Sequence, residues 1–144
     1  MIQHEFTIHL NCPVNQVFAF LADSKNLRNW QSNLIENEQL TEGPVRVGTN
    51  FREVRRTGPR QSEIQAEVTI YDEVNKRFGI KTVTKPETTV NYALESEAGG
   101  TRINYKFVML TTGMMRLLEP LLAGSIKKDT DLDFQRLKRI LESQ

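Results

Sequence analysis

Two pairs of side chains in this sequence are spaced so that they could do chemistry together. The first lies in the C-terminal third, where apolar residues recur at helical spacing. Taking about 100° per residue from Leu118, Ser125 falls at about −20° and Asp129 at about +20°. Both then sit inside a leucine stripe, between Leu122 and Leu132. A carboxylate among leucines must pair, take up a proton or stand beside water. Three readings follow: wet residues where the helix lifts off its support, polar contacts inside a cavity, or a desolvated Asp129 serving as acid or base. The second pair is Glu53 and Arg55. If Phe51 points inward, strand parity takes both inward with it, where they could pair and orient a polar ligand group. If Val54 points inward, Arg52 and Arg56 go instead, and the segment is a solvated strand made soluble by charge. Alternation does not decide between these, because one bulge flips the face.

Tyr92 and Tyr105 each fall on the apolar side of a strand-like segment, and a buried phenol needs a hydrogen-bond partner. With Trp30, Phe51, Phe78 and Phe107 they form an aromatic set suited to a core or to the wall of an apolar pocket. Other chemistries find no support. Two histidines and one cysteine cannot assemble the usual zinc sets, so no metal is expected. His4 shares the parity of Phe6 and faces the core side, whereas His9 faces solvent. Cys12 reads as an inert strand-end residue. Neither Gly-x-Ser-x-Gly nor a glycine-rich phosphate cradle occurs, and no cofactor is implied.

The elements that would position these residues are legible. Ile2–Leu10 alternates apolar and polar side chains, a strand with one face buried. Asn11-Cys12-Pro13 stops it, and Val14, Val17, Phe18 and Leu21 follow at i, i+3, i+4, i+7, a short amphipathic helix. Asp23 can cap a second short helix ending at Trp30. From 34 to 112, Gly43-Pro44, Gly58-Pro59, Asp72–Asn75, Lys85-Pro86 and the predicted hairpin turn Gly99-Gly100 separate strand-like segments at 34–41, 49–57, 61–71, 77–84, 88–96 and 101–111. Ile64, Ala66, Val68 and Ile70 alternate with polar residues, as do Ile103, Tyr105, Phe107 and Met109. Short turns between consecutive strands imply an antiparallel meander, one apolar face of which needs a cover. The cover is a long helix from Pro120, preceded by a separate turn at 114–119, with Leu118, Leu121, Leu122, Ile126, Leu132, Leu137 and Ile140 as its inner stripe.

Composition bounds the rest. A chain of 144 residues with 38% hydrophobic and 26% charged residues fits one domain, 1–144, with room for a core. A net charge of +1 gives no basic face for nucleic acid. Arg52, Arg55, Arg56 and Arg60 are split between faces by strand alternation. Met1–Glu5 lacks the basic start and apolar run of a signal peptide, and no run is long enough to span a bilayer. A single cysteine fits a reducing compartment, so a cytoplasmic location is expected.

Strand, two short helices, six strands and a long helix is an α+β order. At this point the sequence resembles the START-like (SRPBCC) superfamily, in its polyketide cyclase/dehydrase-like branch. Cys12-Pro13 with Val17-Phe18 and Leu21-Ala22-Asp23 is similar to that family's Pro-x-x-x-Val-aromatic-x-x-Leu-x-Asp segment. Leu27-x-x-Trp30, Val47-Gly48-Thr49-x-Phe51 and Leu137-Lys138-Arg139-x-Leu141-Glu142 resemble its second helix, third strand and ending. Glu42–Gly48 lacks the glycine-rich loop of the plant hormone-binding and pollen-allergen branch.

The resemblance implies a helix-grip fold, a curved antiparallel sheet of about seven strands around the long C-terminal helix, with an apolar cavity between them. It carries no catalytic motif. The expected function is binding, as carrier or sensor, of a small hydrophobic molecule such as a lipid, polyketide or aromatic compound. Trp30, Phe51, Val68, Tyr92, Tyr105, Phe107, Leu118, Leu121, Leu122, Ser125 and Asp129 are the expected contacts. The alternatives are a cyclase or dehydratase using Asp129 or Glu53, and a non-catalytic interaction module. Met114, Met115 and Leu117 mark a pocket gate or a homodimer contact.

Overall fold

The computed structural model describes residues 1–57 and 59–144. Seven strands form one antiparallel sheet in the order β1-β7-β6-β5-β4-β3-β2. They are β1 (Ile2–Leu10), β2 (Leu34–Gln39), β3 (Asn50–Thr57), β4 (Arg60–Asp72), β5 (Arg77–Thr82), β6 (Thr88–Glu97) and β7 (Gly100–Met109). Between β1 and β2 run α1 (Val14–Ala22), a 3-10 turn (Ser24–Asn26) and α2 (Leu27–Trp30). After β7 come α3 (Met114–Leu117) and α4 (Glu119–Glu142). The first strand closes the meander by pairing with the last, from Ile2↔Met109 to Leu10↔Thr101.

Local chemistry explains the joints. Pro13 opens α1, where its missing N–H costs nothing, and its carbonyl accepts from Val17 N (3.1 Å). The Asp23 carboxylate accepts from Lys25 N (3.0 Å) and starts the 3-10 turn. Of the predicted Gly58-Pro59 turn, Gly58 lies outside the described residues.

The predicted Gly99-Gly100 turn is displaced by one residue. Ala98 (φ 49°) and Gly99 (φ 79°) are the two turn residues, both left-handed as a two-residue hairpin requires, and Gly100 begins β7. A Cβ on Gly100 would lie 2.2 Å from the Leu10 carbonyl oxygen, so only glycine permits β1 and β7 to meet there.

The inward faces of the central strands line up in rows across the sheet. Phe78, Tyr92 and Tyr105 are successive cross-strand partners, as are Ile80, Val90 and Phe107. The expected alternation of Ile64, Ala66, Val68 and Ile70 breaks at its last member. A register shift between Val68 and Ile70 leaves Ile70 exposed and packs Tyr71 against Phe18 and Phe78. On the outer face Arg52 reaches Glu63 (2.8 Å) and Glu36 (3.2 Å), a solvated pairing of small energetic weight.

Helix α4 covers the inner face, but not with the expected stripe. Asp133, Phe134, Leu137 and Leu141 are its buried residues, with Leu122, Ala123, Ile126 and Ile140 packed beside them. Leu118, Leu121 and Leu132 are exposed at 53%, 76% and 48%. By helical geometry they lie about 100–160° round from the Ile126–Leu137 face. Phe134 is the centre of the core. Its ring lies 5.0 Å from Phe6 and Tyr105, 5.6 Å from Trp30 and 6.5 Å from Tyr92.

Candidate functional site

Between α4 and the sheet lies a cavity of about 300 Å³. The sheet contributes Phe78, Ile80, Val90, Tyr92, Tyr105 and Phe107; α4 contributes Leu122, Ser125, Ile126, Asp129, Thr130, Asp133 and Phe134. An apolar void of ~150 Å³ already admits benzene, so this one has room for a two-ring molecule.

The cavity's chemistry is concentrated on β3. Phe51, Glu53 and Arg55 all face inward, which decides the face that alternation left open. The Glu53 side chain is 5% exposed and accepts from Arg55 Nε at 2.8 Å. The guanidinium is held on its other edges by Asn33 Oδ1 and Gln31 Oε1, both at 2.9 Å. One side chain from β3 and two from the connection between α2 and β2 thus fix one cation in one orientation. A planar fork held this way keeps its geometry whether or not anything binds beside it.

Two phenols add to the polar groups of the wall. Burial pushes the Tyr92 hydroxyl well above its ordinary range, with neighbouring Tyr105 adding to the rise and Arg55 opposing it. Burial likewise raises Tyr105, against the pull of the Thr130 hydroxyl and Arg55. Both therefore stay neutral, able to donate and to accept. The Trp30 indole N–H is buried with no acceptor among the described residues, and so is His4 Nε2.

The sequence placed the helical carboxylate one turn early. Asp129 and Ser125 are exposed and stand at the cavity mouth; Asp133 is the buried acid. It accepts from Ser32 N and Ser32 Oγ, both at 3.1 Å, and lies 3.6 Å from Arg136 Nη1, which donates to the Trp30 carbonyl at 3.1 Å. This set clips the end of α2 to α4. Burial raises the Asp133 carboxyl, while the Ser32 hydrogen bonds and Arg136 lower it and Asp129 raises it. A raised carboxyl binds its proton more tightly folded than unfolded. Asp133 therefore makes stability fall as pH rises from the ordinary value of 3.8 through the raised one. Asp133→Asn, which keeps an acceptor for Ser32, is expected to flatten that decline in urea-unfolding midpoints measured across the same window. An unchanged slope would contradict the assignment.

Of the other expected contacts, Trp30, Tyr92, Tyr105, Phe107 and Leu122 line the cavity. Phe51 and Val68 do not. They point inward but are 4% and 0% exposed within the solid part of the core. Parity chooses a face, not the portion of that face left unfilled. Leu118 and Leu121 lie outside the cavity on the exposed side of the helix. Thr130, Asp133, Phe134, Gln31 and Asn33 also line the cavity and were not among the expected contacts. The spacing of Ile126, Thr130, Phe134, Leu137 and Leu141 carries the signal for the first three.

Cys12 is buried, and burial with nearby Glu142 raises its thiol, which disfavours the nucleophilic thiolate. Among the described residues no cluster of three or more His, Cys, Asp or Glu could hold a metal, and no helix is long and apolar enough to cross a membrane.

The family model described as "Polyketide cyclase / dehydrase and lipid transport" matches residues 1–142. The chain belongs to this family. Solved structures agree on the fold. A protein from Thermus thermophilus superposes with a TM-score of 0.83 at 15% identity, covering 98% of this chain and 97% of that one. Ara h 8.0201 gives 0.76 at 15% identity, covering 99% and 98%. The Zhui aromatase/cyclase from Streptomyces sp. R1128 gives 0.78 at 13% identity, covering 97% and 93%. At these identities the likeness establishes the helix-grip fold and nothing finer. No curated protein matches the sequence.

Proposed function

We propose that this member of the family binds a small, largely apolar molecule that carries one polar group, with the apolar part between α4 and the sheet and the polar group near Arg55 and Glu53. The observation that carries this reading is the pairing of an apolar void with one pre-oriented ion pair and two neutral phenols. Removing about 250–300 Å² of ligand surface from water contributes roughly 6–7 kcal/mol at ~25 cal/mol per Å². Lost motional freedom offsets part of that, leaving affinity in the micromolar range or weaker. Trp30, Tyr92, Tyr105, Phe107 and Leu122 supply the apolar contacts, and Ser125 and Asp129 stand at the entrance.

A second reading is ring closure or dehydration of a bound substrate. The Glu53 carboxylate beside Arg55 favours it, as does the fold shared with a protein described as an aromatase/cyclase. In that case Glu53 moves a proton and Arg55 or a phenol steadies the charge that develops on a carbonyl oxygen.

Titration with 1-naphthol, followed by the emission of Trp30, the only tryptophan, tests the binding reading. A saturable change is expected, about tenfold tighter than with naphthalene because the hydroxyl finds a charged partner. Val90→Phe, whose ring takes up much of the void without adding a second indole, should weaken it sharply. Uptake of neither compound, or equal uptake by the filled variant, would remove the ligand site.

A further inference from the structure

We propose that the segment from α3 into the start of α4 docks this protein on the surface of an anionic lipid bilayer. Met114, Leu117, Leu118 and Leu121 follow one another at i, i+3, i+4, i+7 and are 77%, 80%, 53% and 76% exposed. Leu110, just before the segment, is 44% exposed. The opposite side of the same stretch, at Leu122, Ala123 and Ile126, packs on the core. The outward leucines are therefore surplus to folding. They form a ridge and not a groove, the shape that enters the boundary between headgroups and acyl chains.

The charges beside the ridge select its occupant. From 110 to 129 the bases are Arg116, Lys127 and Lys128, all exposed, and the acids are Glu119 and the exposed Asp129, so the bases outnumber the acids three to two. Glu119 is taken up by the Met1 amino group and by Thr111 Oγ1 (2.6 Å). Lys128 lies two helical turns beyond Leu121 on the same side. On the neighbouring loop, whose Glu87 carbonyl accepts from Leu110 N at 2.9 Å, Lys85 and Glu87 offset each other. An apolar ridge with a cationic surround complements a surface that is apolar beneath and negative above. A second copy fits less well, because a two-fold pairing of ridges would gather Arg116, Lys127 and Lys128 of both copies with only Asp129 to offset them. Ser125, at the cavity mouth with Asp129, lies one helical turn beyond Leu121, so docking would hold that mouth close to the bilayer. The docking surface does not depend on the ligand reading, since it uses side chains outside the cavity.

The test is co-sedimentation with vesicles of phosphatidylcholine alone and of phosphatidylcholine with about 30% phosphatidylserine. The wild-type protein is expected to bind the anionic vesicles, to bind neutral ones much less, and to be released by about 0.5 M salt. Leu117→Asp/Leu121→Asp should weaken binding by about 100-fold, and Lys127→Glu/Lys128→Glu by about tenfold or more. All four positions are exposed, and unchanged circular dichroism with unchanged 1-naphthol uptake would show the fold and cavity intact. Absence of wild-type binding, indifference to lipid charge, or undiminished binding by both variants overturns the proposal. So does self-association that the leucine variant abolishes while vesicles are ignored, which would assign the ridge to a second copy.

Discussion

Phe134→Ala is expected to lower the unfolding free energy by about 3–5 kcal/mol, read as a shift in urea midpoint at constant slope. The ring is 1% exposed and touches four aromatic neighbours contributed by β1, β6, β7 and α2. Those neighbours are held by their own strands and, for Trp30, by α2, and cannot close over the gap, which puts the loss high in the range for aromatic truncation. Because Phe134 also lines the cavity, the deleted ring adds to an existing void and should change which guests fit. Leu121→Ala on the same helix is the control. At 76% exposure it should move stability by no more than about 0.5 kcal/mol. A loss below about 1 kcal/mol for Phe134→Ala would mean that the helix is not anchored through this ring.

Arg55→Met should cost a comparable amount, for an electrostatic reason. The Glu53 carboxylate, 5% exposed, has Arg55 as its ion-pair partner, and removing that partner strands a buried charge. Breaking such pairs costs about 3–5 kcal/mol, whereas replacing both partners with neutral groups of similar size is often nearly neutral. The double variant Glu53→Gln/Arg55→Met is therefore expected to regain most of the stability that Arg55→Met loses, while losing the preference for 1-naphthol over naphthalene. If the single and double variants are equally destabilised, the pair is not what makes Arg55 matter. Gln31 and Asn33, left without their guanidinium, would then carry the cost.

These side chains show how far the amino-acid order could be read. β1 spans Ile2–Leu10 as the period-two pattern implies, because an edge strand with one wet face states its register in every residue. The separate turn at α3 and the helix opening at Glu119-Pro120 follow from proline chemistry. The phase of α4 does not follow, since seven leucines and isoleucines lie around more than half of the helix and only the sheet decides which ones it needs. Choosing Leu118 as the inner reference moved the buried acid from Asp133 to Asp129. On β3 and β4 the alternation was readable but its origin was not. A single register shift exchanged Ile70 for Tyr71, and no local signal chose Phe51, Glu53 and Arg55 over Arg52 and Val54. The Arg55 cradle was beyond reach for a different reason. Its holders, Asn33 and Gln31, come from 22 and 24 residues upstream and meet it only after β2 pairs with β3.

Ligand binding requires the void beneath α4 to accept a guest. The direct measurement is the map of backbone amide shifts by nuclear magnetic resonance as 1-naphthol is added to the labelled protein. Shifts are expected to concentrate at Val90, Tyr92, Phe107, Ser125 and Thr130, with Arg55 following the hydroxyl. Shifts confined to Leu117 and Leu121, or absent throughout, would contradict it.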